Sequence, residues 1–132
     1  MKLEHIGIAV KDIEASNKLF GTLFNSPHYK TEGVESEGVL TSFFAVGESK
    51  IELLQATNED SAIHKFIEKK GEGIHHLAFE VVDIDFELDR LMKEGFVLIH
   101  QTPKDGADNK RIAFLHPKST NSVLVELCQE KA

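Results

Sequence analysis

The chain of 132 residues has little of what marks secreted, membrane-spanning or nucleic-acid-binding proteins. Its one cysteine, Cys128, cannot form an intramolecular disulfide, which favours a reducing compartment. No apolar run approaches the ~20 residues that a transmembrane helix requires, and the N-terminal residues enter a strand pattern without the apolar core of a signal peptide. The formal net charge of −7 provides no basic field that would displace counterions from nucleic-acid phosphates. We therefore predict a cytoplasmic protein that binds neither nucleic acid nor a membrane.

The composition favours a single compact globular domain. Apolar residues make up 41% and charged residues 28% of the chain, proportions that are typical of folded domains. A chain of this length can bury roughly two-thirds of its unfolded surface in one core. An anionic small ligand stays compatible with the negative net charge, because a local basic patch is enough to bind one.

The most informative feature of the sequence is an internal repeat. Residues 5–10 read His-Ile-Gly-Ile-Ala-Val and residues 76–81 read His-Leu-Ala-Phe-Glu-Val, an offset of 76 − 5 = 71 residues. A second pair follows, with Ile-Glu-Leu-Leu at 51–54 and Val-Glu-Leu-Cys at 125–128. We predict one domain over residues 1–132. It is made of repeats at about 1–58 and 72–132, joined by a helix at about 60–70, and neither repeat closes a core alone.

Turn and cap residues divide each half into a strand, a helix and further strands. Asp12 and Asp83 are predicted to cap the first helix of each half. The helix between the halves is predicted to start at Asp60 or Ser61 and to stop at Gly71. Apolar patterns predict strands at 3–10, 40–46, 51–55, 74–82, 96–99, 111–116 and 123–128. Residues 102–109, rich in Pro, Gly and Asp, are predicted to form a loop.

Two glutamates interrupt apolar strands. Residues 123–128 are apolar on both faces except at Glu126, and Glu52 has a comparable setting between Ile51 and Leu53. Because an ionised carboxylate without a partner costs several kcal/mol to bury, each should be paired, protonated or bound to a metal. Either glutamate alone is also explained by a nearby arginine, lysine or water.

The two histidines that lead the repeated strands change this assessment. A lone histidine in a strand is more often bonded to the backbone than to a metal, but His5 and His76 occupy corresponding places, as Glu52 and Glu126 do. A pseudo-twofold arrangement would bring all four together. Two imidazoles and two carboxylates suit Co²⁺, Mn²⁺, Ni²⁺, Zn²⁺ or Fe²⁺, and Mg²⁺ is a less natural alternative. The repeat therefore predicts one divalent-metal site.

The remaining motifs are less informative. His75 alternates onto the face opposite His76 and is interpreted as structural. His28, His64 and His100 fit solvated positions, and His116 either contacts a ligand or closes a turn. No Gly-rich phosphate loop, Ser-His-Asp order or Cys-x-x-Cys spacing occurs.

The sequence resembles the vicinal oxygen chelate superfamily, which includes the glyoxalases, bleomycin resistance proteins and dioxygenases. Within it, the sequence is similar to the methylmalonyl-CoA epimerase family. The segments that carry this resemblance cover nearly the whole chain: residues 5–10, 50–54, 71–81, 114–119 and 123–127. The epimerase likeness rests on Gly-x-His-His at 73–76 and His-Pro-Lys-Ser at 116–119.

The resemblance implies an α+β fold in which two paired βαβββ modules form a cupped, partly closed mixed sheet with the helices outside. It implies a homodimer with one divalent ion per chain, Co²⁺ before the alternatives above, held by His5, Glu52, His76 and Glu126. It implies interconversion of (2R)- and (2S)-methylmalonyl-CoA by metal-assisted proton transfer at C2, with Glu126 and Glu52 as the acid–base groups. Five residues are candidates for binding the substrate: Lys110, Arg111, His116, Lys118 and Ser119.

Two positions depart from the family pattern. Ser122 stands where relatives commonly have glycine, and Thr41 where some bacterial epimerases have a glutamate base. Two alternative functions stay open: a glyoxalase I-type lactoylglutathione lyase, and a non-catalytic binding protein of the drug-resistance type. An extradiol dioxygenase is less favoured, because that chemistry uses one carboxylate and Glu52 would be surplus.

Overall fold

The computed structural model describes residues 1–132 as an α+β fold with eight strands and three α-helices. Two compact units can be distinguished, one from His5 to His75 and one that combines Met1–Glu4 with His76–Ala132. The boundaries fall inside β1 (Lys2–Ala9) and β5 (Gly73–Glu80). Each unit contains parallel and antiparallel strand pairs, so the β-structure is mixed.

The His5–His75 unit contains the first βαβββ sequence. The elements that follow β1 are α1 (Ile13–Phe24), β2 (Lys30–Val34), β3 (Val39–Val46), β4 (Ser49–Ala56) and α2 (Ala62–Lys70). β1 runs parallel to β4, whereas β4 pairs with β3 and β3 with β2 in antiparallel fashion. A parallel pair needs a long crossover connection, and α1, β2 and β3 form it.

The other unit repeats this order. After β5 come α3 (Ile84–Lys93), β6 (Lys104–Asp105), β7 (Lys110–Leu115) and β8 (Val125–Glu130). β5 runs parallel to β8, and β8–β7 and β7–β6 are antiparallel. The predicted α+β class with two βαβββ modules is confirmed, and α2 is the helix between them.

The first helix of each module is capped in the same way. Asp12 accepts a hydrogen bond from the backbone N–H of Ala15 at 3.2 Å, and Asp83 does the same for Phe86 at 3.1 Å, as predicted. Side-chain oxygens from the last strand of each module accept from the first helical N–H: Gln55 for α1 at 2.7 Å and Gln129 for α3 at 2.8 Å. None of the three helices has both the length and the apolar character needed to cross a membrane.

One sheet face in each unit is covered by a helix. α1 packs on β3 and β4 through a buried cluster of Val10, Ile13, Phe44 and Leu53. α3 packs through buried Val81, Ile84, Leu88, Leu91, Ala113, Leu115 and Leu127. Alternate residues of the same strands lie on the opposite face, and the predicted metal ligands are among them. α2 covers one end of that face in the His5–His75 unit, where Ile63 packs with Ala9 and Leu54.

Three predicted details of the strands are wrong. β2 was not predicted, because Lys30–Val34 is a half-exposed and largely polar edge strand. The predicted strand at 96–99 is reduced to one bridge between Leu98 and Leu115. Next to this bridge, the His100 imidazole accepts the N–H of Phe114 at 3.1 Å. In a longer strand, a backbone carbonyl would accept that N–H. β6 lies inside the predicted loop 102–109.

Candidate functional site

His5 and Glu52 form a buried pair in the His5–His75 unit. Glu52 on β4 lies directly opposite Gly7 on β1, two residues beyond His5. Because alternate residues of a strand share a face, the two side chains lie on the same side of the sheet. His5 Nδ1 is 3.1 Å from Glu52 Oε2. Both residues are only 5% exposed.

His76 and Glu126 form the corresponding pair in the other unit. Glu126 on β8 lies opposite Ala78 on β5, again two residues beyond the histidine. His76 Nε2 is 3.3 Å from Glu126 Oε1, and both residues are 5% exposed. The register is therefore the same as in the first pair, although the imidazole presents its other nitrogen to the carboxylate.

Each glutamate lies between a small residue and a phenylalanine. Across the antiparallel neighbour, Glu52 faces Phe43 and Glu126 faces Phe114. The Phe114 ring meets the His76 ring edge-on, with 5.6 Å between the ring centroids. Gly7 and Ala78 leave space on one side of the carboxylates, and the phenylalanines keep the other side apolar. In such surroundings an ionised carboxylate needs a positively charged partner.

The pKa of Cys128 is affected by the buried carboxylates on this face. It is fully buried and lies two residues beyond Glu126 on the same side of β8. Burial raises the pKa of the Cys128 thiol well above its ordinary value, and the Glu126 carboxylate raises it further. The raised pKa disfavours the thiolate that metal binding would need, so the carboxylates and imidazoles are the predicted donors on this face.

The donor set suits a divalent transition ion. Each pair combines a borderline imidazole nitrogen with a hard carboxylate oxygen, and in each pair one nitrogen and one oxygen lie within 3.3 Å of each other. The two pairs contain the four side chains that the repeat predicts as ligands. Because an uncompensated buried carboxylate is costly, the shared burial of these groups fits the predicted ion.

Two of the predicted substrate-binding cations already pair with carboxylates. Lys110 is buried, and its ammonium contacts Glu130 and, at 3.9 Å, Glu80. Arg111 points to the helix-covered side, where its guanidinium lies 3.2 Å from Asp85 of α3. Contact of either residue with a substrate stays a prediction.

The His-Pro-Lys-Ser motif closes a tight turn. Pro117–Ser119 forms a short 3₁₀ helix after β7. His116 Nδ1 accepts the N–H of Lys118 at 3.1 Å, and Ser119 Oγ accepts the N–H of Val97 at 3.2 Å. These side chains thus shape the turn, and their predicted contact with a substrate stays a prediction.

The two departures from the family pattern have clear structural settings. Thr41 is 1% exposed and lies opposite Leu54, on the same face as Phe43. Ser122 has a φ of +68° and the preceding Asn121 a φ of +53°. This left-handed region favours glycine, which explains why glycine suits the position of Ser122.

Sequence reasoning missed three residues that make side-chain contacts on or beside the strands that carry Glu52 and Glu126. Gln55 and Gln129 directly follow the repeated Ile-Glu-Leu-Leu and Val-Glu-Leu-Cys segments, so extending the repeat by one residue would have found them. Lys30 places its ammonium 4.6 Å from the centroid of the Phe43 ring. It was missed because β2 was not predicted.

Comparison with known proteins agrees with this geometry. The profile of the Glyoxalase/Bleomycin resistance protein/Dioxygenase superfamily matches residues 4–114. An ethylmalonyl-CoA/methylmalonyl-CoA epimerase of Cereibacter sphaeroides is 40% identical over 130 residues, covering 97% of this chain and 97% of that protein. The uncharacterized protein YqjC of Bacillus subtilis is also 40% identical, over 98% of this chain and 93% of its own length.

Solved structures extend the likeness to the whole fold. A variant of Streptomyces coelicolor methylmalonyl-CoA epimerase in complex with 2-nitronate-propionyl-CoA is similar with a TM-score of 0.95 and 34% identity. The match covers 100% of this chain and 96% of that one. The similarity therefore includes the four strands that carry the two His–Glu pairs, which are β1, β4, β5 and β8.

Proposed function

Because this chain belongs to the Glyoxalase/Bleomycin resistance protein/Dioxygenase superfamily, we propose that it is a metal-dependent methylmalonyl-CoA epimerase. Epimerase relatives that match over nearly their full length support an isomerase of this class. The observation that carries the proposal is the duplicated, buried His–Glu pair. Carboxylates that can move a proton, beside histidines that can help to hold a metal ion, are expected of an enzyme that removes a proton next to a carbonyl group and stabilises the resulting charge.

We propose that His5, Glu52, His76 and Glu126 hold one divalent ion, with Co²⁺ as the expected metal and Mn²⁺, Ni²⁺, Zn²⁺, Fe²⁺ or Mg²⁺ as alternatives. The ion, when bound, supplies the positive charge that stabilises the negative charge on a deprotonated substrate. Support comes from the donor types and from the identical strand register of the two pairs. In each pair the phenylalanine beside the glutamate, Phe43 or Phe114, makes the surroundings less polar, and electrostatic interactions are stronger in such surroundings.

Epimerisation requires one acid–base group on each face of the planar, deprotonated carbon. We assign Glu126 to one face and Glu52 to the other. The assignment rests on the equivalent positions of the two carboxylates, each opposite a small residue. Thr41 does not replace the base that some relatives carry there, because an alcohol is far too weakly basic to accept the C2 proton at neutral pH.

The partners and compartment follow from the same proposal. The substrate is methylmalonyl-CoA, and the C. sphaeroides relative makes ethylmalonyl-CoA a second substrate to test. His116, Lys118 and Ser119 stay candidates for contact with the CoA portion. We also propose that the protein forms a homodimer and is located in the cytoplasm.

The direct test is an NMR assay of methylmalonyl-CoA in deuterated buffer, with and without EDTA. We expect C2 deuteration and epimerisation that EDTA abolishes and that added Co²⁺ restores. Turnover of the methylglyoxal–glutathione hemithioacetal in place of methylmalonyl-CoA would establish the glyoxalase I alternative. A protein that is purified without chelator, contains no metal and exchanges no proton would instead be a binding protein of this fold.

A further inference from the structure

We propose that Gly106 and Ile112 together set how large the alkyl group on C2 of the substrate can be. Gly106 directly follows the edge strand β6, and Ile112 lies on β7. Because Gly106 has no side chain, Ile112 can lie over it, and this leaves room beside Glu126 for a methyl or an ethyl group. The inference rests on the proposed function, since it concerns an acyl-CoA whose C2 atom is brought to Glu126.

Strand register places Ile112 next to Glu126 on the same face of the sheet. In the antiparallel pair β7–β8, Phe114 lies opposite Glu126 and Ile112 lies opposite Cys128. Directly paired residues project from one face, and diagonal neighbours stay within reach of a long side chain. Ile112 is only 7% exposed and belongs to a buried cluster with Ala78 and Cys128. It is therefore part of the apolar wall beside the glutamate.

The Ile112 side chain extends toward the edge of the sheet. A Cβ atom added to Gly106 would lie 2.9 Å from Ile112 Cδ1, 2.9 Å from its Cγ2 and 3.1 Å from its Cγ1. Carbon atoms in favourable contact are about 3.5–4.0 Å apart, so the side chain occupies the space above Gly106. β6 and β8 flank β7 on opposite sides. Ile112 is thus directed away from the strand that carries Glu126.

The requirement for glycine at position 106 is steric. Gly106 is not among the residues with a positive φ, so its backbone conformation is open to other residues. Its N–H donates to the Lys110 carbonyl at 3.0 Å, and β6 pairs with β7 immediately before it. Because this pairing holds the edge strand in place, a side chain at position 106 would displace Ile112. The displaced side chain would move toward β8 and narrow the space beside Glu126.

The first module arranges the corresponding positions in the opposite way. Thr41 is the counterpart of Ile112, because each lies two residues before the phenylalanine that faces the glutamate. Val34 is the counterpart of Gly106, because each lies two residues after the edge-strand residue that pairs with Thr41 or Ile112. The first module thus has its larger residue at the edge and its smaller one near the glutamate. In the second module a large residue near the glutamate depends on glycine at the edge.

The proposed reaction supplies a group of matching character for this wall. C2 of the substrate carries a carboxylate, a thioester and a hydrogen, and its fourth substituent is the apolar alkyl group. When Glu126 reaches the C2 hydrogen, the alkyl group is one bond away from the same carbon. One methylene in a hydrophobic pocket changes discrimination by about 10–200-fold. A shift of Ile112 by the width of a methyl group should therefore affect an ethyl group more than a methyl group.

The test measures the binding of three ligands and no turnover. Malonyl-CoA has no alkyl group on C2, whereas methylmalonyl-CoA and ethylmalonyl-CoA, each as an equilibrated mixture of epimers, carry one and two carbons. Calorimetry on metal-loaded protein gives their affinities for the wild type, Gly106→Ala, Ile112→Ala, the double variant and the control Gly33→Ala. Gly33 lies on the other edge strand, β2, where an added Cβ meets nothing within 4 Å.

We expect Gly106→Ala to weaken ethylmalonyl-CoA binding roughly tenfold relative to malonyl-CoA, with a smaller loss for methylmalonyl-CoA. In the Ile112→Ala background the same substitution should have no such effect, because the side chain that it displaces is absent. Gly33→Ala should leave the relative affinities of the three ligands unchanged.

Three results would overturn the proposal. Equal losses for all three ligands in Gly106→Ala would mean that position 106 affects the CoA portion or the loop alone. Unchanged affinities would mean that Ile112 does not line the alkyl site. An effect of Gly106→Ala that persists in the Ile112→Ala background would mean that it does not act through Ile112. Urea unfolding of all five proteins verifies that each is folded under the conditions of the measurement.

The outcome is separable from that of the proposed function. A protein that discriminates alkyl groups through Gly106, yet neither exchanges the C2 proton nor epimerises, would retain the alkyl site and refute the epimerase. A protein that epimerises but shows no effect of Gly106→Ala on this discrimination would do the reverse.

Discussion

The two βαβββ modules have the same strand register around their His–Glu pairs and differ at the edge of the sheet. Both place a histidine two residues before a small residue, a glutamate opposite that small residue, and a phenylalanine beyond the glutamate. The row then ends differently, with Lys30 in the first module and the region of His100 in the second. The positions predicted to hold the metal are equivalent in the two modules, whereas the positions at the edge differ. The comparison shows that the two modules agree around the predicted metal ligands and differ at the edge of the sheet.

The largest expected effect tests whether the two glutamates are equivalent. Glu126→Gln and Glu52→Gln remove the proposed acid–base groups while keeping size, and each should lower turnover by about 10²–10⁴-fold. C2 deuterium exchange measured by NMR gives the rate on each face. Glu59→Gln, on an exposed loop, serves as the control. Full activity in both site variants would contradict the assignment, and loss in only one would show that the modules have separate catalytic roles.

Metal removal tests whether the two modules share one ion. A ligand that binds only the folded state, at 100 times its dissociation constant, stabilises that state by about 2.7 kcal/mol. EDTA should therefore lower the free energy of unfolding of the wild type by an amount of this order. His5→Ala and His76→Ala should both remove most of the response, measured by urea titration with metal analysis. Retention of the response in one variant would mean that a single module binds the ion.

A smaller effect tests the duplicated helix caps. Gln55→Ala and Gln129→Ala each leave the first N–H of a helix without its side-chain acceptor. We expect each to destabilise the protein by about 1 kcal/mol, with similar values because the hydrogen bonds are 2.7 and 2.8 Å long. Urea unfolding measures both. A clearly larger loss in one variant would show that the modules do not depend equally on this bond.

The smallest effect concerns the turn before β8. Ser122 holds a φ of +68°, a conformation that glycine adopts without steric cost. Ser122→Gly should raise the free energy of unfolding by about 0.5–1 kcal/mol, because relief of backbone strain outweighs the greater freedom of the unfolded chain. Thermal and urea unfolding would detect it. Gly33→Ala on β2, where nothing lies within 4 Å of an added Cβ, is a contrasting control without positive φ.

The sequence predicted the centre of the site better than its edge. His5 and His76 lie at the same point of a repeat, and the His–Glu pairing follows from a parallel register that the repeat imposes. The polar composition of Lys30–Val34 concealed an edge strand that is held by its pairing with β3. Because no strand was predicted there, the sequence did not predict that Lys30 lies opposite Phe43. Which nitrogen each imidazole turns to its glutamate depends on side-chain rotamers, and a sequence pattern does not specify them.

The burial of Cys128 has a practical consequence for measuring local motion. As the only cysteine, fully buried within β8, it can react with a thiol reagent only when that strand separates from its neighbours. Its raised thiol pKa also keeps the thiolate fraction small at neutral pH. The native chain therefore contains a single-site reporter of opening. Its labelling rate, with and without substrate, would measure how firmly the strand that carries Glu126 is closed during ligand binding.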